Sequence, residues 1–204
     1  MVKTRIAVLV SGGGTNLQAL LDAQSAGQLP SGEIVLVIAS NDKAFALQRA
    51  EKAGVPAVVC SRKELGSQEA FEATISRALA DYGVELIVLA GFMSILSEAF
   101  TRQWPDRIIN VHPSLIPSFC GKGFYGLKVH QAALDYGVKV TGATVHFVNE
   151  IPDGGRILLQ KAVDILPDDT PETLQRRVME QAEWKLLPQA VQLVAAEIGK
   201  GKEP

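Results

Sequence analysis

Apolar residues in this chain come as short continuous runs separated by stretches with helical spacing. Ile6 to Val10, Ile34 to Ile38 and Leu86 to Ala90 are uninterrupted apolar runs, the pattern of strands buried on both faces. Val55 to Val59 adds a shorter strand, and Ile108 to Val111 and Gly142 to Val148 two further ones. Ile157 to Val163 fits a strand returning from a turn at Asp153-Gly154. Between the runs, Leu17, Leu20 and Leu21 recur at helical spacing. Ala44 to Ala53 reads as a helix stopped by Gly54. Ser67 to Tyr82 carries Phe71, Ile75, Leu79 and Tyr82 on one face and is closed by Gly83. A short helical piece ends near Trp104, and Lys128 to Tyr136 forms another helix before Gly137. Thr170 and Pro171 suit the N-cap and first position of the last helix, which Pro188 should kink or restart. The tail from Gly199 to Pro204 is expected to fray. Strands alternating with helices, then a hairpin-like ending, predict an α/β fold: one domain with a mostly parallel, mixed, twisted sheet flanked by helices.

Composition narrows the function. The 204 residues carry a formal net charge of −2, with acids and bases spread along the chain, which argues against a nucleic-acid partner. Cys60 and Cys120 stand far apart and suggest neither a disulfide framework nor a metal site. Met1 to Arg5 runs straight into the first strand without the pattern of a signal peptide, and no apolar run approaches a membrane span. A cytoplasmic protein without membrane contact is expected.

The candidate chemistry lies at strand ends. Ile108 to Pro117 is a β-type run ending between two prolines. Asn110 and His112 are two apart, so a strand points both to one face. An amide donor beside a titratable one suits an oxygen that becomes negative. Ser11-Gly12-Gly13-Gly14-Thr15-Asn16 joins a strand to a helix, where free N–H groups can face a single phosphate. Gly91 to Leu96 follows another strand's carboxyl end; it could wall a pocket for a flat ligand or plug the core. Ser118 to Gly126, with three glycines and three aromatics, reads as a ligand-facing loop. Asp153 precedes two glycines at a bend that can aim its carboxylate. His112, His130 and His146 are not at ligand spacing, so no metal is expected. His130 reads as a helix or surface residue, and His146 as a strand residue facing the site at one remove.

Four segments in this order resemble the phosphoribosylglycinamide formyltransferase family across nearly the whole chain. They are Ser11 to Leu17, Gly91 to Leu96, Asn110 to Pro117, and Thr144 to Val148 with Asp153-Gly154-Gly155. The resemblance implies a Rossmann-like formyltransferase fold with a phosphate-binding half over about residues 1–100 and a folate and catalytic half over about 101–198. It also implies transfer of the formyl group of 10-formyltetrahydrofolate to glycinamide ribonucleotide. Asn110, His112 and Asp153 match the family's catalytic positions. Gly14, Thr15 and Asn16 match the phosphate loop, and Glu183 the acid that holds the ribose. Gln68, Met93, Ser94, Ile95 and Leu96 match the folate side, together with Asn110 and with Asn149, Glu150, Ile151, Pro152 and Asp153. Ser94 and Gln68 stand where some relatives have arginines, and Trp184 where histidine is usual. The implied partners are these two small molecules, with no metal, in a monomer or homodimer. The alternatives are a 10-formyltetrahydrofolate hydrolase, whose relatives add an N-terminal domain, and a non-enzymatic sensing module. Relatives that formylate methionyl-tRNA add a C-terminal domain; neither addition is expected here.

Overall fold

The computed structural model describes residues 2–201. The elements in chain order are β1 (Thr4–Val10), α1 (Thr15–Ser25), β2 (Gly32–Ala39), α2 (Ala46–Lys52) and β3 (Ala57–Val59). α3 (Arg62–Leu65), α4 (Gln68–Asp81), β4 (Leu86–Leu89), α5 (Glu98–Thr101) and β5 (Ile108–His112) follow. The last third holds α6 (Leu127–Tyr136), β6 (Val140–Phe147), β7 (Ile157–Asp164), α7 (Pro171–Val178), a π turn (Met179–Glu183) and α8 (Trp184–Lys200).

Among the described residues the strands form one sheet in the order β3-β2-β1-β4-β5-β6-β7. β3 through β5 are parallel, and β6 and β7 pair antiparallel. The chain winds outward in one direction from β1 to β3 and in the other from β4 on. The switch therefore lies between β1 and β4, the place where open α/β sheets take ligands beyond the strands' carboxyl ends. Ser11, just past β1, donates its backbone N–H to the Gly91 carbonyl, just past β4, at 3.1 Å. The Ser11 hydroxyl accepts from the Met93 N–H at 2.8 Å. Two loops separated widely in sequence are thus tied at the switch point.

Side chains alternate across the sheet. Ile6, Val8 and Val10 of β1 pack into one core with α1 and α8, through residues such as Leu17, Leu20, Leu187 and Val191. Ala7 and Leu9 face the other, with Phe71, Ile75 and Leu79 of α4 and with Phe100. These α4 side chains are fully buried. Truncating Phe71 to alanine would cost about 3–5 kcal/mol.

Several expectations need correction. α8 runs from Trp184 through Pro188 to Lys200, so no new segment starts at the proline itself. The irregularity lies at the π turn, next to the turn whose Trp184 carbonyl Pro188 cannot serve. The tail is helical through Lys200, and Gly201 caps it; residues 202–204 lie outside the described residues. β6 ends at Phe147, so Val148 lies beyond the strand face it was assigned to. The β6–β7 connection is not a tight Asp-Gly hairpin: residues 148–156 form a longer loop, with Gly154 N–H closing onto the Ile151 carbonyl at 2.9 Å. His130 is not a surface residue but is fully buried on the inner face of α6.

Candidate active site

β5 brings Asn110 and His112 to its carboxyl end on one face, as alternation requires. Asp153 meets them from the β6–β7 loop. Its backbone adopts φ +56°, a left-handed conformation that aspartate tolerates better than most residues. Gly155 follows where a Cβ would collide with the Phe147 carbonyl, so the chain can pass only as glycine. Asp153 Oδ2 lies 3.6 Å from His112 Nδ1, and Asp153 Oδ1 lies 3.5 Å from Asn110 Nδ2. The three sequence-selected residues therefore converge on one carboxylate.

A fourth residue joins them. His146 Nε2 lies 3.2 Å from Asn110 Nδ2 and 3.5 Å from Asp153 Oδ1. Its Nδ1 is 2.7 Å from the Phe147 carbonyl, which can only accept, so Nδ1 carries a proton. Nε2 stands between two partners: without a proton it accepts from the Asn110 amide, and with one it donates to Asp153 Oδ1. Sequence placed His146 at one remove; the β5–β6 pairing of Asn110 with His146 puts it in direct contact.

The electrostatics are directional. Burial alone would raise the Asp153 carboxyl, but the His146 hydrogen bond, the His112 charge and the Gly121 N–H outweigh it and hold it below the usual range. That N–H donates to Asp153 Oδ2 at 2.8 Å, which anchors the glycine-rich loop to the site. His112 Nε2 lies 2.9 Å from the Phe119 carbonyl. Acceptors thus flank both nitrogens of His112, and a doubly protonated ring satisfies both.

A cavity of about 660 Å³ opens over these groups, lined also by Asn16, Met93, Lys122, Phe124, Met179 and Glu183. Asn16 Nδ2 donates to Glu183 Oε2 at 2.6 Å. Burial pushes the Glu183 carboxyl up to about 7 against that hydrogen bond. A smaller slot of about 130 Å³ continues from Asn110 and Asp153 between Ser94, Ile95 and Leu96 on one side and Val148, Asn149 and Glu150 on the other. A larger cavity of about 970 Å³ lies between α1 and α8, but it reaches none of Asn110, His112, Asp153 or His146.

The other sequence-selected residues divide. Met93 and Ile95 are exposed and face the cavity, Ser94 and Pro152 line the slot, and Leu96 is buried in its floor. Phe92 stacks on Phe71 with ring centroids 6.3 Å apart, so the Gly91–Leu96 loop both walls the pocket and plugs the core. Thr15 turns toward the larger cavity and donates to Met179 Sδ at 3.7 Å. Gly14 lines neither space; at φ +68°, an added Cβ would stand 2.7 Å from Ala46 Cβ. Ile151 is exposed outside both spaces, and Gln68 lies behind the loop, donating to the Ile95 carbonyl at 3.1 Å. The loop that holds Phe119 and Gly121 was legible as ligand-facing, but which of its backbone groups meets His112 and Asp153 was not, and Met179 had no sequence signal at all.

The formyl transferase family model matches residues 4–191 of this chain. The phosphoribosylglycinamide formyltransferase of Haemophilus influenzae is 42% identical over 184 residues, 90% of this chain and 84% of that protein. The chain belongs to the phosphoribosylglycinamide formyltransferase family. The glycinamide ribonucleotide transformylase 1 of Symbiobacterium toebii shares this chain's fold with a TM-score of 0.89 at 42% identity, covering 96% of this chain and 89% of that one. The trifunctional purine biosynthetic protein adenosine-3 of Gallus gallus is 46% identical over 95% of this chain, which spans only 19% of that protein's length. Among the described residues no three His, Cys, Asp or Glu side chains are grouped to hold a metal ion, and no helix is long and apolar enough to cross a membrane.

Proposed function

We propose that this protein moves the formyl group of 10-formyltetrahydrofolate to the amine of N1-(5-phospho-D-ribosyl)glycinamide, a step of purine synthesis. The observation that carries the reading is the convergence of Asn110, His112 and Asp153 where a wide cavity meets a narrow slot. The ribonucleotide occupies the wide end, with its phosphate at the Gly12–Asn16 turn and its ribose at Glu183. The pterin enters the slot beside Ser94, Leu96 and Asn149.

Holding amine and formyl group together at the strand ends removes much of the entropic barrier. The amine attacks the formyl carbon, and the carbonyl oxygen gains a negative charge. Asn110 Nδ2–H donates to that oxygen, joined by the His112 Nε2–H once the formyl oxygen displaces the Phe119 carbonyl that this N–H otherwise meets. Asp153 faces His112 Nδ1 and assists the passage of a proton from the attacking amine to the leaving nitrogen. The tetrahedral intermediate then collapses, breaking the bond to the folate nitrogen.

The deciding assay follows 10-formyltetrahydrofolate with and without the ribonucleotide. Loss of the donor only when the acceptor is present supports the transferase. Formate release without acceptor replaces it with a hydrolase, and no donor loss in either arm leaves neither.

A further inference from the structure

α4 holds the Gly91–Ser97 segment from behind through a small polar cluster. Glu72 Oε1 accepts from the Ser97 N–H at 2.6 Å, and Glu72 Oε2 accepts from the Ser97 hydroxyl at 2.6 Å. Gln68 Nε2 donates to Glu72 Oε1 at 2.6 Å and to the Ile95 carbonyl at 3.1 Å. Helical spacing of four puts Gln68 and Glu72 side by side. The carboxylate therefore has both oxygens committed, three times over, to a loop and to the amide that bridges it there.

None of these three residues lines the cavity or the slot. The opposite side of the same segment does: Ser94, Ile95 and Leu96 form one wall of the slot. α4 does not depend on the cluster for its seat, because Phe71, Ile75 and Leu79 are fully buried beneath it. Removing the carboxylate would free the loop rather than the helix. Charge-assisted bonds of this length are the strong ones available to such a loop.

We propose that Glu72, oriented by Gln68, is a positioning residue for the formyl-donor subsite: it sets the height of the Ser94–Leu96 wall through Ser97 without touching the donor. The inference rests on the reading of that slot as the pterin site. It also gives Gln68 a role, as the bridge of a clamp rather than a direct ligand.

The test compares Glu72→Ala, Glu72→Gln and Ser97→Ala with the intact chain in steady-state kinetics. Glu72→Ala should raise KM for 10-formyltetrahydrofolate about tenfold, the scale of one or two lost charged hydrogen bonds. Its KM for the ribonucleotide and its kcat should stay within about twofold. Glu72→Gln, which keeps one acceptor for the Ser97 N–H, should fall between, and Ser97→Ala should reproduce part of the effect. Amide hydrogen exchange supplies an activity-independent readout: in Glu72→Ala, exchange should quicken at Ser97 and not in α4. Parallel rises in both KM values, or a lower melting temperature with both KM values unchanged, would overturn the clamp. If the intact chain consumes no donor, the proposed function fails, and unchanged exchange at Ser97 would sink the clamp separately.

Discussion

Asn16 donates its side-chain amide to the Glu183 carboxyl across 167 residues of chain, at 2.6 Å. The bond joins the first turn of α1 to the π turn that precedes α8. Met179 and Glu183, four residues apart in that turn, share one side, where Thr15 and Asn16 meet them. Glu183→Ala should therefore raise KM for the ribonucleotide roughly tenfold with a smaller change in donor KM. An unchanged ribonucleotide KM would remove Glu183 from the site.

Asp153→Asn should fold and lose roughly a thousandfold in turnover, the scale of a lost acid–base and charge-tuning group. The asparagine oxygen can still accept from the Gly121 N–H, so the melting temperature should move little. Turnover near the intact level in a folded variant refutes the role.

His146→Phe keeps a ring of similar size and removes the acceptor that fixes the Asn110 amide. The expected result is a drop in kcat of roughly tenfold to a hundredfold with both KM values little changed. His146→Gln, which restores an acceptor, should recover part of it. Equal loss in both variants would mean that the imidazole acts some other way.

Two buried groups make stability depend on pH in opposite senses. Burial pushes the His130 imidazole down from 6.5 to about 4, aided by the nearby His112 charge. Its stabilising effect is complete above pH 6.5 and is lost as pH falls toward 4, about 3 kcal/mol in all. Glu183, raised from 4.5 to about 7, contributes fully below pH 4.5 and loses a similar amount, about 3 kcal/mol, as pH rises through 7. The two slopes nearly cancel between pH 4.5 and 6.5. Denaturation across pH should show Glu183→Gln exposing a rise in stability from pH 4 to 6.5, and His130→Asn exposing a decline from pH 4.5 to 7. Unchanged slopes in either variant would count against that burial argument.

The glycine-rich turn separates packing from binding. Gly14→Ala meets both a left-handed backbone and Ala46, so a stability loss of about 2–4 kcal/mol is expected. A valine there would test packing before phosphate affinity. Gly13 has nothing within 4 Å of an added Cβ and no positive φ. Gly13→Val should fold normally and raise ribonucleotide KM, and unchanged affinity by calorimetry would move the phosphate elsewhere.

Local pattern was enough for much of this molecule. Apolar runs such as Ile6 to Val10 announce buried strands because backbone and side chains obey a short period within one segment. Thr170 announces a helix start because a cap acts on its own next three residues. Asn110 and His112 share a face for the same local reason. What needed tertiary structure was every relation between segments. Asp153 reaches the β5 pair through a loop whose left-handed turn has no periodicity. His146 became a direct partner of Asn110 through antiparallel register, and His130 became buried through the packing of α6. Gln68 turned from the pocket to Glu72 because a neutral amide finds a carboxylate and a carbonyl there. Periodicity is a property of a segment, whereas which donor meets which acceptor is decided by how the segments pack.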